Sequence, residues 1–425
     1  MSTIRRDPSS IHVVITGMGT INPIAYNVPQ FWDNLLKGES GIRICQHTDI
    51  KNSPVKIGGE VDYPENITEY VPRKMMRRLQ RFIIFGHVAA TQAIQDSGIT
   101  REMVDNDPSR FGVIIGTGDA GQMGHFEACR KIDEFGMESV SPFYVVGVIP
   151  NTPSGYFARE FNFQGPNFSV NSACATSNHA FGTATMMIKM GLTDVMIAGG
   201  TESVLNEAGL AGFNIIYALS RRNDDPATAS RPFDKDRDGF ILAEGAGCLC
   251  LEELEHAKAR GAKIYGELKG FGFSCDAYDL VAPHPDGRGA AAAMEAAIAD
   301  AGINLEDIDL INAHGTSTPL GDKTEAATIN RVFGEELSKK IPVHSTKSIL
   351  GHMVGAGGGT EAIAALQAIN QGVIHPSINV FEQDPEIKLS IVANKPQEKE
   401  VSHVLSNSFG FGGQNSTIII SKFKD

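Results

Sequence analysis

Short, continuous apolar runs alternate along the chain with longer stretches of helical periodicity. Residues 11–17 (IHVVITG), 111–116 (FGVIIG) and 195–200 (VMIAGG) read as buried strands, whereas residues 88–94 (VAATQAI) carry a helical pattern. That alternation predicts an α/β protein with helix-covered sheets. A weak internal repeat refines it. Residues 93–100 (AIQDSGIT) match 297–304 (AIADAGIN) at an offset of 204 (297 minus 93), and each copy leads through an apolar strand to a Gly/Thr turn, GTG at 116–118 and HGT at 314–316. The strand and small-residue helix around Cys174 likewise resemble residues 343–347 (VHSTK) with 355–366 (GAGGGTEAIAAL), and both helices end at a glycine, Gly191 and Gly372. The expectation is two duplicated α/β halves, an N-terminal one over residues 1–262 and a C-terminal one over residues 263–425. Segments 120–150 and 204–238 fit neither copy and are expected to form a cap or a subunit contact. Glycine and alanine inside a helix forgo propensity or side-chain burial, so residues 175–184 and 356–365 need a packing reason. Two buried helices crossing closely at the centre supply it, with their N-termini meeting near a pseudo-twofold axis.

Composition narrows the function. The 425 residues are 42% hydrophobic and 20% charged, enough for a large core, and 37 basic against 50 acidic side chains leave a net charge of -13. That balance argues against a general nucleic-acid binder. No stretch approaches the ~20 apolar residues of a membrane span, and the first strand is too short and too broken by glycine for a signal peptide. A soluble, cytoplasmic protein is expected. The six cysteines are scattered, and Cys248 and Cys250 share one strand face too far apart to bridge, so all six read as reduced thiols with no metal cage.

Four places carry candidate chemistry. Residues 169–182 (SVNSACATSNHAFG) set one cysteine among small residues. A buried cysteine is commonly a small hydrophobe, but Cys174 enters a helix N-terminus, where free N–H groups and the dipole favour a thiolate and can cradle an oxyanion. His314 follows a strand and opens a turn dense in Gly, Thr, Ser and Pro, at the strand end where α/β proteins place their chemistry. Lys347 and His352 flank a glycine turn before the second central helix. Residues 406–415 (SNSFGFGGQN) form a glycine-rich loop before a strand, without the Gly-Lys-Ser/Thr of a phosphate loop. A decoy, GTGDAG at 116–121, fits a dinucleotide fingerprint but leads to no strand ending in a ribose-binding acid. A cysteine, two histidines and a lysine suit ping-pong acyl transfer, the thiol holding an acyl group while the imidazoles donate to a developing oxyanion.

Taken in order, NSACATSNHA at 171–180, RPFDKDRDGF at 231–240 with EGAG at 244–247, NAHGTSTPLGD at 312–322, STKSILGH at 345–352 and NSFGFGG at 407–413 resemble the β-ketoacyl-acyl-carrier-protein synthases, condensing enzymes of the thiolase-fold superfamily, and most of all the bacterial type II elongation synthases. The resemblance runs almost end to end. It implies a thiolase-like fold in α-β-α-β-α layers, and an acyltransferase that elongates fatty acids by decarboxylative Claisen condensation with malonyl-acyl-carrier protein. It implies that Cys174 accepts the acyl chain, with the N–H groups of Cys174 and Phe411 as oxyanion hole, and that His314 and His352 bind the malonyl thioester. Lys347 would pair with Glu361 or with Glu325, Phe411 would gate the thiol, and Phe409, Thr316 and Thr318 would contact substrate. The carrier-docking patch is expected at Lys74, Arg77 and Arg78, with Arg222; five basic residues lie within 73–81. The family implies a homodimer and no cofactor or metal. This chain departs from the family at residues 137–143 (MESVSPF), where many relatives carry more basic residues, and at GGQN, 412–415, in place of Gly-Gly-Thr-Asn. A polyketide ketosynthase of the same fold is the alternative reading. A chain-length factor would lack Cys174, and a degradative thiolase would carry a second cysteine near the C-terminus, whereas the last here is Cys275.

Overall fold

The computed structural model describes residues 10–424, so residues 1–9 of the expected N-terminal half and residue 425 of the other lie outside the described residues. The strands of the main sheet are β1 (Val13–Ile21), β2 (Phe111–Gly116), β3 (Asn167–Phe168), β4 (Val195–Glu202), β5 (Gly245–Glu253), β6 (Gly266–Cys275), β7 (Leu310–Asn312), β8 (Pro342–His344), β9 (Ser390–Ile391), β10 (His403–Gly410) and β11 (Gln414–Ser421). They form one sheet in the order β9-β8-β7-β10-β11-β6-β1-β5-β4-β2-β3. From the central β1-β6 contact outward, each side reads antiparallel, antiparallel, parallel, parallel: β1-β5-β4-β2-β3 on one side and β6-β11-β10-β7-β8 on the other. The duplication visible in the sequence is therefore a duplication of topology.

Only two residue pairs join β1 to β6, so the sheet folds back on itself there and leaves an interior between its halves. Helices α1 (Arg81–Asp96), α2 (Gln122–Phe135), α3 (Thr152–Phe161), α4 (Thr176–Lys189), α5 (Glu207–Ile215), α6 (Arg288–Ala301), α7 (Pro319–Phe333) and α8 (Gly357–Gln371) complete the frame. α4 and α8 fill the interior and touch strands of both halves, while α1 covers the outside of one half and α6 the outside of the other. The expected α-β-α-β-α layering follows.

Close approach explains the small residues. A Cβ on Gly358 of α8 would stand 2.5 Å from Asn178 Oδ1 of α4, and one on Gly359 would stand 2.3 Å from the Gly247 carbonyl of β5. The repeat also recurs in atomic detail. Gly17 and Gly19 of β1 lie against the carbonyls of Ala93 and Ala89, and Gly270 and Gly272 of β6 lie in the same way against Ala297 and Ala293, again 204 positions on (293 minus 89). α2 and α5, from the two segments that fit neither copy, pack on one another off the sheet. No described helix is long and apolar enough to cross a membrane.

Candidate active site

Cys174 lies in a one-turn segment, Ala173–Ala175, that runs directly into α4. Ala173 holds φ at 50°, a left-handed conformation that costs a non-glycine residue roughly 1–2 kcal/mol. Thr176 locks the turn, its hydroxyl accepting from the Ser172 N–H at 2.9 Å and donating to the Ala173 carbonyl at 2.7 Å. Gly410 presses on the same turn, where a Cβ would meet the Ser172 carbonyl at 2.7 Å and the Cys174 nitrogen at 3.2 Å. That approach brings the Phe411 N–H, together with that of Cys174 itself, to the thiol.

The second copy delivers the imidazoles. His314 follows β7, and Glu325 of α7 accepts the N–H groups of His314 and Gly315, each at 2.8 Å, and the Asn407 side-chain amide at 3.1 Å. Thr318 caps α7, its side chain accepting the Gly321 N–H. His352 follows Gly351, whose φ of 78° ends the Lys347–Leu350 turn. Residues 241–243 grip its backbone: its N–H donates to the Ile241 carbonyl at 2.7 Å, and its carbonyl accepts from Ala243 at 3.0 Å. His352 Nε2 then stands 3.0 Å from Cys174 Sγ, and the His314 and His352 rings meet edge to face at 5.5 Å. The ligating atoms of all three residues lie within 4.8 Å of one another.

Burial sets the resting charges. It pushes the Cys174 thiol up to about 12, against the opposing pull of Lys347, so the dipole that favours a thiolate is outweighed. It holds both imidazoles well below their ordinary value, helped by the nearby Lys347 charge. The resting site is a neutral thiol beside two neutral rings.

Lys347 pairs with Glu361, not Glu325, through a buried contact between its Nζ and Oε1. Glu325 serves the turn of His314 instead, and burial raises it to about 7. Replacing Glu361 by alanine would strand the Lys347 charge, and a loss of about 3–5 kcal/mol is expected in chemical denaturation.

The thiol and both rings open into a cavity of about 360 Å³ that Phe409, Phe411, Thr316 and Thr318 also line. Phe409 lies 5.7 Å from the His314 ring, and Phe411 lies 6.0 Å from Phe213. Two contributors escaped the sequence reading. Phe240 packs edge to face on His352 at 5.2 Å, and its signal was present as the last residue of the 231–240 motif. Glu202, fully buried, accepts the N–H groups of Gly118 at 2.8 Å and Gly355 at 3.1 Å, so it ties the turn after His352 to the loop after β2. The same contact fills the GTGDAG decoy with a carboxylate, which leaves those N–H groups no phosphate to bind.

The basic run divides. Arg77 and Arg78 line a small polar cavity with Lys131 of α2, Arg78 stacking over Phe143 at 4.4 Å, and among the described residues none of Lys74, Arg77, Arg78 and Lys131 has an ion pair within 4.0 Å. Arg81 is withdrawn from the surface patch by its ion pair with the buried Glu244. Arg222 is bound to Asp238 at 3.3 Å, so its charge is partly committed.

A cysteine and two imidazoles, brought together from opposite halves of a duplicated thiolase-type fold, mark a condensing enzyme. The chain belongs to the β-ketoacyl synthase family, whose N-terminal domain model matches residues 11–257 and whose C-terminal domain model matches residues 265–381. It is 42% identical to the 3-oxoacyl-[acyl-carrier-protein] synthase 2 of Vibrio harveyi, over 98% of this chain and 100% of that one. The chloroplastic 3-oxoacyl-[acyl-carrier-protein] synthase I of Arabidopsis thaliana is 41% identical, over 98% of this chain and 88% of that one. Among solved structures, the ishigamide ketosynthase/chain length factor superposes with a TM-score of 0.90 at 33% identity, covering 97% of this chain and 100% of that one. A type II polyketide ketosynthase solved with its acyl-carrier protein superposes with a TM-score of 0.90 at 30% identity, over the same shares.

Proposed function

We propose that the protein is a fatty-acid elongation synthase that joins an acyl group to malonyl-acyl-carrier protein, releasing CO2 and a 3-oxoacyl-acyl-carrier protein two carbons longer. The observation that carries this reading is the 3.0 Å approach of His352 Nε2 to Cys174 Sγ, with His314 beside it and two N–H groups at the thiol. The 42% and 41% identities over nearly the full chain to two 3-oxoacyl-[acyl-carrier-protein] synthases support the fatty-acid substrate, and a polyketide ketosynthase of the same fold is the alternative.

In the first half-reaction the Cys174 sulfur attacks the acyl thioester as its proton leaves, and the tetrahedral oxyanion falls to the N–H groups of Cys174 and Phe411. The carrier thiol departs with a proton, leaving an acyl-cysteine. In the second, the malonyl thioester carbonyl accepts hydrogen bonds from His314 and His352. The carboxylate then leaves as CO2, and its electron pair moves into an enolate that the two rings stabilise. The enolate carbon attacks the acyl-cysteine carbonyl, which returns to the same oxyanion hole, and the sulfur leaves to regain a proton. Neutral rings suit this role, because each has an N–H to donate and no charge to pair permanently with the incoming carboxylate.

The acidic carrier would dock at Lys74, Arg77 and Arg78, with Arg222 as a weaker contributor. Among the described residues none of the first three has an ion pair, on a protein of net charge -13, and this supports the reading. Reversing the charge at Lys74 and Arg78 should raise the KM for carrier protein at least about fivefold while sparing kcat, since docking contacts bind ground and transition states alike. An unchanged KM in steady-state assays would remove the patch from the account. The same reading puts the division between halves at residues 262/263, from the internal repeat, with the protein in the cytoplasm and assembled as a homodimer.

A further inference from the structure

Cys174, His314 and His352 bring one sulfur and two imidazole nitrogens to a common point that faces an open cavity. This donor set is the one a thiophilic divalent cation prefers when three protein ligands leave a fourth position to water. We propose that these three residues also form an inhibitory site for Zn2+ or a cation of like chemistry, and that an occupied site cannot be acylated. That last clause rests on Cys174 as the acyl acceptor; the metal site itself does not.

Zinc bonds of about 2.3 Å to sulfur and 2.0–2.1 Å to nitrogen, at tetrahedral angles, require ligand atoms roughly 3.3–3.6 Å apart. The contacts here bracket that value, from 3.0 Å between Sγ and Nε2 of His352 to at most 4.8 Å across the set. Closure needs side-chain shifts of about 1 Å, and the cavity has room for a fourth, water ligand.

The balanced step forms one metal–sulfur and two metal–nitrogen bonds in place of three bonds to hydration water, and releases the single thiol proton to solvent. What the site lacks is outer support. Among the described residues the Nδ1 atoms of His314 and His352 are buried and meet no protein hydrogen-bond partner, and missing outer partners of this kind weaken metal affinity about 10–100-fold. The site is therefore reversible and regulatory in character, unlike a permanently filled structural centre. Surface thiols are the competing targets, since Cys129 and Cys275 are exposed.

Titrating the full chain with Co2+ as a spectroscopic probe tests the proposal. One equivalent should raise a thiolate-to-cobalt charge-transfer band that Zn2+ bleaches. The band should vanish in Cys174→Ala and in Cys174→Ser, persist in a Cys129→Ala, Cys275→Ala variant, and need at least about tenfold more cobalt in His314→Ala. Absence of the band from the wild-type protein, or its survival in both folded Cys174 variants, overturns the site. Acylation measured separately in chelator judges the catalytic reading, so the two can fail independently.

Discussion

A Cys174→Ala protein should lose condensation by roughly 10⁴-fold or more, the scale on which removal of a covalent nucleophile is felt, yet keep releasing CO2 from malonyl-acyl-carrier protein. The separation follows from which groups serve which half-reaction. In the proposed mechanism the acyl group rests on the sulfur, whereas decarboxylation uses the two rings, and these are held by elements that do not depend on the thiol. Glu325 fixes the backbone of His314, and the Ile241 and Ala243 contacts fix that of His352. Removing Sγ deletes one 3.0 Å contact and leaves those supports in place. Radiolabelled CO2 release, measured beside product formation, checks both halves at once. Loss of the two activities together in a folded variant would mean that the thiol also orders the histidines.

The second large effect is expected at His352. His352→Ala should slow decarboxylation about 10²–10³-fold, the usual loss when one of two oxyanion donors is removed. Transfer of the acyl group to Cys174 should persist, because its oxyanion meets the backbone N–H groups of Cys174 and Phe411. A single-turnover assay with pre-acylated protein isolates the affected step. Near-normal CO2 release would overturn the role assigned to His352. Phe240 offers a gentler test of the same point, since its ring supports that of His352 at 5.2 Å without reaching the thiol.

The architecture was legible because duplication leaves marks that composition does not erase. The match of residues 93–100 to 297–304 foretold two halves, and the contacts of Gly17 and Gly19 against those of Gly270 and Gly272 give its atomic cause. The closeness of α4 and α8 could be read from residues too small to serve any other purpose. Pairings across the fold were harder. Whether Lys347 meets Glu361 or Glu325 depends on how α7 and α8 turn about their axes, and both glutamates occupy plausible positions along the chain. The structure separates them by function, one neutralising a lysine and the other holding a turn. Charge at the thiol was misjudged for a related reason. A helix N-terminus can be recognised in sequence, but the burial that outweighs it cannot. Glu202 was hidden for the same cause, because a glutamate at the end of a strand announces nothing until the loops it joins are placed.

The central claim is that Cys174 carries the acyl group, and intact mass tests it most directly. The protein would be mixed with a medium-chain acyl-acyl-carrier protein in chelator, beside a Cys174→Ser control. The account predicts a gain of one acyl group per chain that is absent from the control. A folded wild-type protein that gains no mass with any chain length, or a control that gains the same mass, would contradict it.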